Sequence, residues 1–217
     1  MKPLEWNKMF DLCLVTDEKL CLGRSLFEVV QQAAEGGVTM VQLREKDLNT
    51  KVFIERALTI KEILKPFGIP LIINDRVDVA LAAEADGVHI GQNDMPYKML
   101  RKIIPKKMLV GLSVETMDQA VEAENYKIDY LGVSPVFPTP TKTSVKTHWG
   151  IEGLQKLRSV SRHPLVAIGN INTLNAAQVI EAGADGIAVV SAICSAADPK
   201  SVTSELLSII KKTKSYK

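Results

Sequence analysis

The chain of 217 residues has few aromatic side chains: Phe, Trp and Tyr are 5% of it, so its core has to be filled by Val, Ile, Leu and Ala. It lacks an excess of charge of either sign. Lys and Arg number 27 against 25 Asp and Glu, a net charge of +2, which gives no whole-molecule attraction to nucleic acid or to acidic membranes but leaves room for a local cationic pocket. Cysteine is scarce. Cys13, Cys21 and Cys194 show no paired metal-ligand spacing, and free or buried thiols in a reducing compartment are expected. Long apolar runs are also missing: the longest, 186–197, is too short to span a bilayer and is broken by Ser191 and Ser195. Residues 1–10 carry Glu5, Asn7 and Lys8 where a secretory signal would be apolar. A cytoplasmic protein without nucleic-acid or membrane partners is the expectation. With 46% apolar and 24% charged residues, extensive disorder and a fibrous architecture are excluded, and the length favours one domain.

What is present is a repeating alternation. Short, β-branched apolar runs occupy 12–16, 40–45, 70–75, 87–90, 109–113, 130–135, 165–169 and 186–191. Amphipathic helical stretches lie between them, among them 25–35, 50–64, 115–124, 151–160 and 172–182. Strands alternating with helices need crossover connections, hence a parallel sheet. Eight units in this length predict an α/β fold: a single-domain (β/α)₈ TIM barrel over 1–217. A doubly wound open sheet is the competitor, but no Gly-x-Gly-x-x-Gly fingerprint follows the first strand. Residues 1–10 are expected to be an N-terminal extension, 211–217 a basic, frayed helix end, and 136–149 a binding loop of the active site. The segments 34–38, 83–87 and 181–186 resemble one another, each closing a helix with a Gly or Asp-Gly turn before the next strand. They belong to the stability end of the barrel and are assigned no chemistry.

In a parallel barrel the active site forms at the carboxyl ends of the strands. Alternation along the second strand turns Val41 and Leu43 outward and Gln42, Arg44 and Lys46 toward the mouth. Two inward cations need an anionic partner, either a bound anion or a rim salt bridge with Glu45 or Asp47. The third strand ends in Asn74-Asp75 and the fourth leads into Gly91-Gln92-Asn93-Asp94. Alone, each aspartate reads as a helix cap. Together, beside Arg44 and Lys46, they suit Mg²⁺ shared with phosphate oxygens. Neither segment from 72 to 75 nor from 91 to 94 holds His or Cys, which argues against zinc, and the scattered His89, His148 and His163 give no support to a His-based triad. The fifth strand closes with Ser113. The sixth leads into Pro138-Thr139-Pro140-Thr141-Lys142, which reads equally as a phosphate grip or a plain loop. Gly169-Asn170 and Val190-Ser191 end the seventh and eighth strands, where phosphate sites recur in this fold.

These residues resemble the thiamine phosphate synthase family. The matching motifs are Gln42-Leu43-Arg44-Glu45-Lys46, Ile73-Asn74-Asp75, His89-Ile90-Gly91-Gln92-Asn93-Asp94, Gly111-Leu112-Ser113, Pro138-Thr139-Pro140-Thr141-Lys142, and Ala184-Asp185-Gly186 leading into Val190-Ser191. They stand in the family's order and cover residues 11–210. The resemblance implies a transferase joining a hydroxymethylpyrimidine pyrophosphate to a thiazole phosphate, with release of pyrophosphate and without a covalent enzyme intermediate. It implies that Gln42, Arg44, Lys46, Asn74 and Lys142 hold the pyrimidine pyrophosphate, that Asp75 and Asp94 bind Mg²⁺, and that Ser113 contacts the pyrimidine. By the same resemblance Arg44, Lys46, Lys142 and Ser113 would be the catalytic residues. Thr139, Thr141, Gly169, Asn170, Val190 and Ser191 would receive the thiazole phosphate. Where the family has Gly-Gly after the seventh strand, this chain has Gly169-Asn170. Asparagine keeps the backbone N–H and tolerates unusual φ, while adding a side chain beside the phosphate.

Two other readings share the scaffold. A thiazole tautomerase would carry a His shortly after the fifth strand, where this chain reads Ser113-Val114-Glu115-Thr116. A non-catalytic phosphate-binding barrel would lack Asp75, Asp94 or Lys142, and all three are present. Self-association into a homo-oligomer is compatible with the sequence, which locates no surface for it.

Overall fold

The structure is a computed structural model that describes residues 6–139 and 148–215. The eight expected strands form a closed parallel barrel: β1 (Leu12–Val15), β2 (Met40–Leu43), β3 (Leu71–Asn74), β4 (Gly87–Ile90), β5 (Leu109–Val114), β6 (Tyr130–Val133), β7 (Leu165–Ile168) and β8 (Gly186–Val189). Each pairs with the next, and β8 closes on β1 through Cys13 beside Ala188. A short helix α1 (Trp6–Met9) precedes β1. Helices α2 (Leu26–Gly36), α3 (Thr50–Leu64), α4 (Val77–Ala82), α5 (Tyr97–Ile103), α6 (Met117–Ala123), α7 (Gly150–Val160) and α8 (Ala176–Glu181) follow successive strands. After β8 come a single turn, α9 (Ser191–Cys194), and the long α10 (Pro199–Lys214).

Side-chain alternation separates two cores. Leu12, Leu14, Val41, Leu43, Ile73, Val88 and Val110 point outward and pack under the helices. Cys13, Val15, Met40, Ile72, Leu109, Tyr130, Val166 and Ala188 fill the barrel itself. Phe10 belongs to that inner core: it is buried, and its ring lies 5.4 Å from that of Tyr130. The stretch 1–10 is therefore not wholly an extension, because its last residue plugs the amino end of the barrel. The basic tail differs in the same way. Lys211 to Lys214 continue α10, and Lys214 pairs with the buried carboxylate of Asp11.

A fourfold device holds the amino end. Thr39, Asp86, Asp129 and Asp185 stand just before β2, β4, β6 and β8. Each donates its backbone N–H to a carbonyl at the start of the preceding strand (Leu12, Leu71, Val110 and Leu165) and accepts that residue's N–H on its side chain, at 2.7–2.8 Å. Two of the four, Asp86 and Asp185, are the aspartates of the Asp-Gly segments, which thus satisfy backbone groups that would otherwise be orphaned at strand starts. Asp129→Ala removes the acceptor for Val110 and is expected to lower stability by about 1–3 kcal/mol, whereas Asp129→Asn, which keeps a side-chain oxygen, loses less. Equal losses for the two variants in thermal or chemical melts would contradict this role.

Helix limits follow from capping. The Ser25 hydroxyl accepts from Phe27 at the start of α2, and Gly37, at φ +93°, closes it. The expected helix over 172–182 is shorter, since Asn172 and Asn175 side chains bind Leu174 and Asn172 backbone amides and replace its first turn with a local loop. Strand β2 stops at Leu43 because the Arg44 N–H is taken by the Thr16 hydroxyl, 3.0 Å away. The connection 136–149 has both described ends pinned. Val136 N–H donates to the Ile168 carbonyl at 2.8 Å, and Trp149 N–H donates to that of Pro135 at 2.9 Å.

Candidate active site

The carboxyl ends of β2, β3 and β4 bring Gln42, Asn74 and the two aspartates to one side of the mouth. Gln42 and Asn74 are buried on the inner face. Asp75 follows β3 in the left-handed region, at φ +63°, where Asp and Asn are tolerated better than most residues. Its N–H donates to the His89 carbonyl at 2.8 Å, which fixes the turn. Asp94 is held by a tight turn in which the Gly91 N–H donates to its Oδ2 at 2.7 Å. Neither aspartate caps a helix: Arg76 and Pro96 occupy the N-cap positions of α4 and α5. The helix-cap reading of these residues is replaced by a paired-carboxylate one.

The pair is electrostatically uncomfortable. Burial holds the Asp94 carboxyl above its ordinary range, and the neighbouring Asp75 carboxylate pushes it further up, against the Gly91 N–H and the Lys46 ammonium, which pull it down. Lys46 pairs directly with Asp75. Two carboxylates in contact favour a shared proton or a cation. Among the described residues no group of three or more His, Cys, Asp or Glu gathers as a metal cluster. Hard oxygen donors in a pair suit Mg²⁺, which keeps waters and phosphate oxygens in its shell. The donor set fits that ion.

The cations do not form the rim bridges considered from sequence. Glu45 pairs with Arg56 and Asp47 with Lys19. Arg44 instead faces Asp17, in the connection after β1, at 3.6 Å, beyond hydrogen-bond length. Glu45 and Asp47 are thus held by other cations, and Lys46 pairs with Asp75 across the ends of β2 and β3.

On the far side, Gly169 and Asn170 follow β7 at φ +121° and +51°. A Cβ at position 169 would lie 2.7 Å from Pro135 Cβ and 2.8 Å from the Val136 nitrogen, so only glycine fits there. Asn170 adopts the left-handed conformation with an exposed side chain, and its carbonyl accepts from Asn175. Val190 and Ser191 begin α9, whose first amides lack intrahelical acceptors. Thr139 is half-buried in the connection after β6. Thr141 and Lys142 lie outside the described residues.

Sequence reading gave no role to His89, Tyr130, Thr16 or Asp17. The inward alternation of β4, with Gly87 and His89 on one face, was the available signal for His89. Its ring is buried between Tyr130 and Ser113, with Nδ1 3.0 Å from the phenol oxygen and Nε2 2.8 Å from the serine Oγ. Gln92 donates to the Ser113 carbonyl at 2.6 Å and steadies that strand end.

A parallel eightfold barrel with paired carboxylates, two cations and backbone amides at its carboxyl mouth defines an enzyme for phosphorylated substrates. Comparison with known proteins narrows this. The family described as thiamine monophosphate synthase matches residues 12–193. The thiamine-phosphate synthase of Albidiferax ferrireducens is 54% identical over 188 residues, 87% of this chain and 86% of that protein. That of Vibrio campbellii is 51% identical over 202 residues, 93% of this chain and 98% of that protein. Among solved structures, thiamine phosphate pyrophosphorylase from Pyrococcus furiosus superposes with a TM-score of 0.89 at 38% identity, covering 96% of this chain and 99% of that one. The chain belongs to the thiamine monophosphate synthase family and is a transferase. No helix among the described residues is long and apolar enough to cross a membrane.

Proposed function

We propose a division of labour within this mouth for the reaction its family carries out. The chain makes thiamine phosphate: a hydroxymethylpyrimidine pyrophosphate and a thiazole phosphate are joined, and pyrophosphate leaves. The carrying observation is the Asp75–Asp94 pair beside Lys46, with Arg44 at the end of the adjacent strand β2. Charge develops mainly on the leaving oxygen, and preformed positive groups aimed there lower the barrier most.

Arg44 and Lys46, with Asn74 and Gln42, bind and orient the pyrimidine pyrophosphate, and Lys142 joins them from the loop after β6. Asp75 and Asp94 would hold Mg²⁺. When bound, the ion supplies positive charge to the pyrophosphate oxygens. The bond between the pyrimidine methylene carbon and the pyrophosphate oxygen breaks with its electrons on oxygen, while the ring amino group feeds electrons toward the methylene. The thiazole nitrogen lone pair then forms the new C–N bond. No proton has to be moved by the protein at this step, and no enzyme nucleophile is needed. Thr139, Thr141, Gly169, Asn170, Val190 and Ser191 seat the thiazole phosphate so that its nitrogen faces the methylene. An electron-withdrawing substituent on the pyrimidine ring is expected to slow turnover by orders of magnitude in pre-steady-state assays. A rate insensitive to that substituent would refute the cationic course.

The tautomerase and non-catalytic readings have no comparable support, since the carboxylate pair and the cations stand together at one end of the barrel. The donor set also gives a pH signature. Asp94 has its carboxyl raised in the folded state, so the metal-free fold takes up a proton more readily than the unfolded chain, and this group's contribution to stability falls as pH rises through that window. Binding of Mg²⁺ displaces that proton. The gain in melting temperature given by Mg²⁺ is therefore expected at neutral pH and to fade as pH falls into the carboxylate range, with proton release measurable by calorimetry in buffers of different ionisation enthalpy. A gain unchanged across that range, without proton release, would place the metal elsewhere.

A further inference from the structure

Beneath the mouth lies a polar chain that the reaction scheme above does not use. His89 and Tyr130 are almost entirely buried within the barrel. The neighbouring strands make room for them with glycine. A Cβ at Gly111 would stand 2.2 Å from Tyr130 Cζ and 2.4 Å from His89 Nδ1, and one at Gly132 would stand 2.8 Å from His89 Cε1. Phe10 packs against the phenol from the closed end. The chain runs from Tyr130, at the start of β6, through both nitrogens of His89 to Ser113 Oγ, and of the three residues Ser113 is the one that is not fully buried.

We propose that Tyr130 and His89 are positioning residues that keep the imidazole proton on Nε2 and so present the Ser113 hydroxyl as a hydrogen-bond donor to a ring nitrogen of the pyrimidine. The inference rests on the placing of Ser113 against the pyrimidine given above. Burial pushes the Tyr130 phenol well above its ordinary value, so it stays neutral and has one proton to give. The phenol is buried away from water, so its O–H needs an acceptor within the barrel. Among the described residues His89 Nδ1, 3.0 Å away, is the acceptor in reach, and the phenol O–H is directed to it. A neutral imidazole that accepts at Nδ1 carries its proton on Nε2. That N–H donates to Ser113 Oγ, which leaves the serine proton free to point outward. The opposite tautomer would draw the serine proton inward and offer the pyrimidine only an acceptor, suited to its amino group.

Nitrogen-15 NMR of the wild-type protein, with the His89 signals assigned by the His89→Gln variant, reads the tautomer directly. A protonated Nε2 and an unprotonated Nδ1 are expected. Steady-state kinetics of Ser113→Ala, Tyr130→Phe and the double variant give the coupling. Tyr130→Phe keeps the ring against Phe10 and removes only the hydroxyl, and melting curves check that it folds. Losing one hydrogen bond corresponds to roughly a 5–10-fold fall in kcat/KM for the pyrimidine pyrophosphate in Ser113→Ala, and a fall of about 3–10-fold in Tyr130→Phe. In protein already carrying Ser113→Ala, Tyr130→Phe should add less than about 2-fold. Inorganic pyrophosphate with Mg²⁺ should bind all three variants as it binds wild type. A proton on Nδ1, or a full Tyr130→Phe effect in the Ser113→Ala background, overturns the relay. If Ser113→Ala keeps wild-type kinetics while Nε2 is protonated, the placing of Ser113 against the pyrimidine is what fails, and the relay loses its function with it.

Discussion

Asp75→Asn is expected to cut kcat by on the order of 10²-fold or more, because the carboxylate pair that would hold Mg²⁺ against the leaving group is broken. The fold should survive. Asp75 sits at φ +63°, a conformation asparagine accepts, whereas Asp75→Ala adds backbone strain of about 1–2 kcal/mol unrelated to the metal. Removing one of two repelling carboxylates also relieves Asp94, whose carboxyl should return toward its ordinary range. Melting temperature without Mg²⁺ should hold or rise, while the stabilisation by Mg²⁺ should disappear. If Asp75→Asn instead unfolds the protein and the residual folded fraction keeps full turnover, Asp75 is a structural residue and the metal site is wrong.

Arg44→Gln is expected to lower kcat/KM for the pyrimidine pyrophosphate by on the order of 10²–10³-fold, the range for deleting one donor aimed at developing negative charge. Its stability effect should be small. The guanidinium stands 3.6 Å from Asp17, and a single ion pair of that kind contributes about 0–1 kcal/mol. Arg44→Lys should recover only part of the loss, since a point charge replaces a planar fork that grips two oxygens. A wild-type kcat/KM in Arg44→Gln, measured with saturating thiazole phosphate, would remove Arg44 from the pyrophosphate site.

The barrel was legible because its signals are local and repeat. Eight apolar runs separated by amphipathic stretches give the strand order, and period-two alternation placed Gln42 inward and Val41 outward. Less legible was anything set by contacts distant in sequence. Lys214 meets Asp11 across 203 residues, and Phe10 reaches Tyr130, so neither the tail nor the first ten residues could be placed from their own composition. The ion-pair alternative for Arg44 and Lys46 was limited in the same way. Neighbouring Glu45 and Asp47 looked available, but they point to Arg56 and Lys19, and it is Asp17 and Asp75 that face the cations. His89 looked isolated as one of three scattered histidines. Its meaning comes from Gly111 and Gly132 on other strands, whose missing side chains make the space it fills. The Asn172–Asn175 turn was read as helix because apolar periodicity continues past it, while the side-chain hydrogen bonds that break the first turn leave no trace in that periodicity.

The central claim is that Asp75, Asp94, Arg44 and Lys46 act together on the pyrophosphate. A crystal structure of the protein with Mg²⁺, pyrophosphate and thiamine phosphate tests it most directly. The account predicts Mg²⁺ between the two carboxylates with oxygens at about 2.0–2.1 Å, pyrophosphate bridging the ion to Arg44 and Lys46, and the thiamine phosphate group at Gly169, Asn170, Val190 and Ser191. Pyrophosphate bound away from Arg44 and Lys46, or Mg²⁺ bound without Asp75 and Asp94, would contradict it.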